Sequence, residues 1–358
     1  MRSLGKFPDR FLAEIAGQPD ALRRSGTGLS DQRASLARIR DAAATGPIVL
    51  TGMGASSHSC YPAVPALAAV GVAALHVDSA ELLHFRRSML VNPNAIVVVV
   101  SQSGESAEPV ALAVELTRQR IRPMVVSVTN GLDNTLASTA DVAFDTRAGS
   151  ETGPSSMTFG AGLVVLSAVA GAIAGEPPDQ GLVRVPAAAD RAAAAAERLL
   201  ERGEELAATL LEWLGGRPTL VLLGRGPARA ASELGALVLK EAAAFPAESL
   251  QTAQFRHGPL ELAGPDLAAV VVATEPETRL LDLGLAREVA GTGAAVLVVT
   301  PDGDAPIGVL GLATGDVERT VAPAVSVVPA QLLAWRLAVH RGRSPGSFVH
   351  ATKVTARE

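Results

Sequence analysis

Short apolar, β-branched runs stand at three places in the first half of the chain and return in the same order in the second. Residues 47–54 (PIVLTGMG) are restated by 217–227 (RPTLVLLGRGP), 95–101 (AIVVVVS) by 268–274 (AAVVVAT), and 122–130 (RPMVVSVTN) by 294–301 (AAVLVVTP). Runs of this length that are apolar on both faces suit central strands of a parallel sheet covered by helices on each side. Helix-forming stretches lie between them, and further strands are expected at 73–77 and 142–145. The duplication therefore predicts an α/β fold of two tandem domains, each a doubly wound parallel sheet flanked by helices. The expected boundaries are N-terminal helices over 1–46, with a break at Gly26-Thr27-Gly28, and a first domain over 47–175. A helical connection over 176–216 follows, with an alanine-rich helix from Pro186 to about Arg202, then a second domain over 217–342 and a tail over 343–358.

A chain of 358 residues is long enough for two domains, each with a full core. Hydrophobic residues make up 48% and charged ones 19%, with a formal net charge of −5, so no polyanion such as nucleic acid is expected as a partner. No apolar run reaches the length of about 18 residues that a membrane helix needs, and residues 1–6 lack the apolar centre of a leader peptide. No membrane association is expected, and the expected location is cytoplasmic. Cys60 is the only cysteine, which excludes an intramolecular disulfide and reads as a packed thiol. His58, His76, His84, His340 and His350 show no metal-ligand spacing with one another or with acidic residues, so neither a metal nor another cofactor is expected.

The most informative stretch is the end of the second apolar run, where Val97–Val100 gives way to Ser101-Gln102-Ser103-Gly104-Glu105-Ser106 and a helix over 107–118. The free N–H groups and positive dipole at a helix start favour an anion, and serine hydroxyls add donors, so this turn suits a phosphate. It lacks the Gly-x-x-x-x-Gly-Lys-Ser/Thr pattern of nucleotide hydrolases. The Gly52-Met53-Gly54 turn lacks the third glycine of the dinucleotide fingerprint, because Ser57 stands there. Both loops follow strand C-termini, so they are expected to face one another across a single crevice. The second copy has Thr274-Glu275-Pro276-Glu277 instead, and two carboxylates would repel a phosphate. Only the first copy is expected to bind the anion.

Together with that loop, the segments Gly235–Glu241, Gln254–Leu260, Gly149–Ser156 and Lys353–Thr355 are similar to the sugar isomerase (SIS) domain family. The resemblance extends over about 47–358, as a pair of domains like the isomerase half of glucosamine-6-phosphate synthase. It implies that Ser101, Gln102, Ser103 and Ser106 hold a sugar phosphate together with Ser56, and that Ser155 and Ser156 contact the sugar hydroxyls. It implies Glu241 as the isomerising base, His257 as the ring-opening group and Lys353 as the lysine of a mobile tail. The chemistry fits these types. One carboxylate can carry a proton between C1 and C2, an imidazole can assist ring opening near neutrality, and a lysine can form a Schiff base or neutralise charge. The helix of Glu241 carries Leu234 and Val238 where the synthase has a glutamate and a lysine, and no glutaminase segment with a leading cysteine is seen. Release of ammonia from glutamine by that route is therefore not expected. The implied function is a phosphosugar-processing enzyme, an aldose-ketose isomerase or an amino-sugar-phosphate deaminase or deglycase, and the alternative is a non-catalytic sugar-phosphate sensor. The implied partners are the phosphorylated sugar or amino sugar and a second copy of the chain, as a homodimer or larger, with His257 completing a neighbour's site. The 247–259 segment itself reads as too polar and turn-rich to be core.

Overall fold

The repeated apolar runs form the centres of two five-stranded sheets, both parallel throughout. The structure is a computed structural model that describes residues 9–42, 45–355 and 357, so the reading of residues 1–6 lies outside it. In the first sheet the strands are β1 (Ile48–Gly52), β2 (Ala74–His76), β3 (Ile96–Val100), β4 (Met124–Thr129) and β5 (Val142–Asp145), in the order β2-β1-β3-β4-β5. The second sheet holds β6 (Thr219–Gly224), β7 (Ala247–Gln251), β8 (Leu267–Val272), β9 (Ala295–Thr300) and β10 (Leu310–Ala313), in the order β10-β9-β8-β6-β7. The two orders are the same winding: one strand is added outside the first, and the chain then crosses back and runs outward on the other side. Where the winding reverses, beside β1 in one sheet and β6 in the other, a crevice opens at the strand C-termini.

Burial explains which strands the sequence revealed. β1, β3 and β8 are buried at every position, because helices cover both faces, and such strands must be continuously apolar. β7 reads AESLQ and lies in the 247–259 segment that reads as too polar and turn-rich to be core. It is the outer strand paired in parallel with β6 from Leu220↔Ala247 to Gly224↔Gln251, as β2 is with β1. An outer strand is held by one ladder and one packed face, so it can stay polar. The 247–259 segment also reaches the core, since Phe255 is fully buried with Leu223, Leu267, Val271 and Val298.

The N-terminal region departs from expectation in two ways. Its first break falls at Gly17, between helices Arg10–Ala16 and Gln18–Gly28, and Gly26 stays helical. A side chain at Gly26 would meet Pro186 Cα at 3.1 Å and Ala189 Cβ at 3.0 Å, so this glycine serves close helix packing rather than a turn. Its packing partner, Pro186, lies inside a helix that begins eight residues before it, at Pro178. The chain also divides into two compact units that split the N-terminal helices. Among the described residues, the first-sheet unit comprises 20–42, 45–150, 157–190, 351–355 and 357, and the second-sheet unit comprises 9–19, 151–156 and 191–350. Helix Met157–Ile173 is buried nearly all round, and no described helix is long and apolar enough to cross a membrane.

Candidate functional site

In the first-sheet unit the two turns that follow β1 and β3 meet. The Gln102 N–H donates to Ser56 Oγ at 3.3 Å, which joins the Gly-x-Gly turn to the serine loop as the sequence implied. Inside the loop the Gly104 N–H donates to Ser101 Oγ at 3.2 Å, and Ser101 Oγ lies 3.3 Å from Ser106 Oγ. Ser101 is buried and builds the loop, whereas Gln102, Ser103 and Ser106 are half-buried. Gly104 takes φ +68°, and a Cβ there would lie 2.0 Å from Asn134 Oδ1, so both the backbone and its neighbour require glycine.

Glu105 is an acidic residue within a loop suited to anions, and its carboxylate is turned elsewhere. Its two oxygens accept from the Thr135 N–H at 2.7 Å and the Thr135 hydroxyl at 2.8 Å, capping helix Thr135–Thr139. Those bonds, the backbone one foremost, hold the carboxyl below the usual glutamate range. Helix Ala107–Thr117 starts at Ser106, whose hydroxyl makes no capping bond to the helix. Pro109 in its first turn has no N–H to satisfy, and the Ala107 N–H donates to the Thr355 carbonyl at 3.0 Å. The tail segment that carries Lys353 therefore lies at the start of the loop's own helix, with Lys353 half-buried. Sequence reasoning had no signal for a second pair in this unit, Ser57 Oγ and His76 Nε2 at 2.8 Å, with the Tyr61 ring against His76 at 4.5 Å. Cys60 is fully buried beside the Ser56 carbonyl, and burial pushes its thiol up, out of the range of a nucleophile.

In the second-sheet unit the equivalent turn carries its own anion. Arg319 lies 2.7 Å from carboxylate oxygens of both Glu275 and Glu277, so the acidic pair expected to repel phosphate is tied to an internal cation. Glu275 is buried, which raises its pKa against the opposing pull of Arg319. Arg225, in the turn after β6, pairs with buried Asp282 at 2.6 Å.

Glu241 and His257 belong to this unit too. Glu241 is half-buried in the last turn of helix Arg229–Ala243, which ends on Ala244 in a left-handed conformation at φ +47°. A carboxylate at the negative end of a helix is unfavourable by about 0.3–1 kcal/mol, so helix stability alone does not select it. The adjacent Lys240 points to Glu248 at 3.5 Å and is half-exposed. Leu234 and Val238 are fully buried core residues of the same helix. His257 follows the short helix Thr252–Phe255 that buried Phe255 anchors; it is exposed and precedes Gly258 at φ +118°. The turn Glu151–Ser156 places Ser155 at its half-exposed position. Ser156 is fully buried, with both its N–H and its hydroxyl donating to Glu151 Oε2 at 2.9 and 3.2 Å, so that hydroxyl builds the turn. The structure thus gathers Ser56, Ser101, Gln102, Ser103, Ser106 and Lys353 in one unit, and Glu241, His257, Ser155 and Ser156 in the other. Among the described residues no group of three or more His, Cys, Asp or Glu could hold a metal ion.

Fold and turns together define a tandem pair of doubly wound parallel α/β domains in which one copy keeps an open serine loop. The SIS domain profile matches residues 44–172 and 215–341, and the chain belongs to that family. It is 30% identical over 353 residues to the glutamine-fructose-6-phosphate aminotransferase (isomerizing) of Pyrobaculum aerophilum, covering 96% of this chain and 57% of the relative. The chain therefore spans little more than half the length of that relative. Among solved structures it resembles the C-terminal domain of glucosamine-fructose-6-phosphate aminotransferase from Francisella tularensis, with TM-score 0.84 and 22% identity over 95% of this chain and 98% of that one. It also resembles tagatose-6-phosphate ketose/aldose isomerase from Escherichia coli, with TM-score 0.78 and 23% identity over 99% and 100% of the two chains.

Proposed function

We propose that this protein is a phosphosugar-processing enzyme that moves a proton between C1 and C2 of its substrate, as an aldose-ketose isomerase or an amino-sugar-phosphate deaminase or deglycase. The observation that carries the reading is the loop Ser101–Ser106. It keeps half-buried hydroxyls at a helix start, while its one carboxylate, Glu105, is drawn off by Thr135. That environment favours a phosphate, and the duplicate turn, occupied by Arg319 and two glutamates, does not offer it. In this reading Ser56, Ser101, Gln102, Ser103 and Ser106 hold the phosphate, Ser155 and Ser156 shape the sugar side, and Glu241 transfers the proton. His257 opens the ring, and Lys353 closes over the substrate and neutralises charge on the intermediate or forms a Schiff base.

The names of the relatives support a hexose phosphate as substrate, since one refers to fructose-6-phosphate and another to a ketose/aldose isomerase of tagatose-6-phosphate. The working unit is a homodimer or larger, in which the exposed His257 of one chain serves the site of its neighbour. The place of action is the cytoplasm, since the substrate is an anion that does not cross a membrane unaided. The test is a screen of phosphorylated ketoses, aldoses and amino sugars that follows both ammonia release and aldose-ketose interconversion. Turnover of one of them is expected. Tight binding of a sugar phosphate with no turnover would replace this reading with that of a sensor.

A further inference from the structure

The turn Glu151–Ser156 is held by buried polar side chains that have no part in the roles assigned above. Glu14 lies on helix Arg10–Ala16 and is 8% exposed. Its Oε1 accepts from the Thr152 N–H at 2.6 Å, the Thr152 hydroxyl at 3.1 Å and the Gly153 N–H at 3.3 Å, and its Oε2 accepts from the Gly153 N–H at 3.1 Å. The approach is so close that a Cβ on Gly153 would lie 2.8 Å from Glu14 Oε2. Gln331, fully buried on helix Val328–His340, extends its amide nitrogen to the Ser155 carbonyl at 3.5 Å, and its oxygen accepts from Gln18 Nε2 at 2.9 Å. The helix of Glu14 is itself fixed. Asp9 Oδ1 caps it by accepting from the Phe11 and Leu12 N–H groups, Asp9 Oδ2 accepts from the Trp335 indole, and Phe11 and Ile15 are fully buried.

A carboxylate removed from water is tolerated only when it is hydrogen-bonded, and these bonds of Glu14 go to two successive residues of one turn. They fix the direction in which the chain enters Ser155. Around Ser155 the turn is buried at Gly153, Pro154 and Ser156, while the Ser155 hydroxyl has no hydrogen-bond partner among the described residues. We propose that Glu14, backed by the Gln18–Gln331 pair, is a positioning residue that sets which sugar-hydroxyl configuration the Ser155 turn accepts. The inference rests on the phosphosugar reading and adds to it the element that reads the sugar. Discrimination between hydroxyl configurations depends on placing one donor or acceptor to within fractions of an ångström, which a turn held by a rigid, buried carboxylate can achieve.

The experiment replaces Glu14 by Gln in the full chain. The shape is nearly kept, but the amide nitrogen would face N–H donors. Three quantities are read: the affinity for inorganic phosphate, the kinetic constants for the preferred sugar phosphate, and those for its epimer at a single hydroxyl. With unchanged phosphate affinity, KM for the preferred substrate should rise about tenfold, kcat should hold within about threefold, and the preference over the epimer should narrow at least about fivefold. Combining Glu14→Gln with Ser155→Ala should add little to either single change, since both act through the same hydroxyl. An unchanged epimer preference, or effects that add fully, in a variant that still binds phosphate would overturn the inference. Should Glu14→Gln lose its fold, Gln331→Leu carries the same measurement with the same outcomes. If the wild-type protein neither binds nor converts any sugar phosphate, it is the phosphosugar reading that fails.

Discussion

Glu105 and Glu275 are acids at matching turns of a duplicated fold, and their surroundings decide what each turn can hold. Glu105 caps the helix that starts at Thr135, which leaves the hydroxyls of Ser103 and Ser106 facing no carboxylate of their own loop. Glu275 turns to Arg319, so its turn already contains an anion and a cation. The acidic dipeptide spacing was legible in the sequence, but its partner was not, because Arg319 lies more than forty positions further on. At this scale the direct prediction concerns Ser103, whose Oγ accepts from the nearby Glu105 N–H at 3.1 Å and from no other group among the described residues. Ser103→Ala should raise KM for the sugar phosphate by about tenfold or more, in line with one charge-assisted hydrogen bond of about 1.5–3 kcal/mol. The thermal midpoint should not move, because the hydroxyl supports no other element. Michaelis kinetics with an unaltered KM would place the anion elsewhere.

Among the elements, the strands packed on both faces were the most legible, and of the outer strands β2 and β5 were expected whereas β7 was not. β3 and β4 are Val-rich because helices cover both sides, and they fall at 96–100 and 124–129, inside the apolar runs 95–101 and 122–130. β7 was missed because its single ladder to β6 and its one inner face make no demand for a continuous apolar run. Nothing in the N-terminal run of charged and apolar residues tells that Glu14 of its first helix turns inward. The join between β4 and β5 gives a pH test. Asp141 accepts a bidentate pair from Arg122 at 2.7 and 2.9 Å and the Val125 N–H at 2.9 Å. Burial pushes its pKa up, but the Arg122 and Val125 bonds outweigh that, and the carboxyl ends below its usual range. A lowered folded-state pKa contributes stability that is present above the unfolded value and is lost as pH falls through the folded one. Asp141→Asn should therefore lower the urea midpoint at neutral pH, and the gap to wild type should close progressively below about pH 3.9. A gap of constant size down to strongly acid pH would contradict this account of the pair.

For the molecule as a whole, the division of labour between the two copies is the main consequence of the duplication. One copy keeps the serine loop, and the other keeps Glu241 and the exposed His257. If His257 serves a neighbouring chain, inactive Glu241→Gln and inactive His257→Ala proteins should regain activity when mixed and allowed to exchange, because a mixed dimer has one site with both residues intact. Mixtures of demonstrably exchanged chains that stay inactive would assign the histidine to its own subunit. The most direct test of the central claim is the exchange of the substrate's C2 proton with deuterium from solvent, followed by NMR with the sugar phosphate that the wild-type protein converts. Glu241→Gln keeps the side chain's shape but cannot accept the proton. The account predicts exchange with wild type and a fall of about a hundredfold or more in the variant, with sugar-phosphate binding retained. Exchange at the wild-type rate in Glu241→Gln would show that another group moves the proton and would contradict the proposed mechanism.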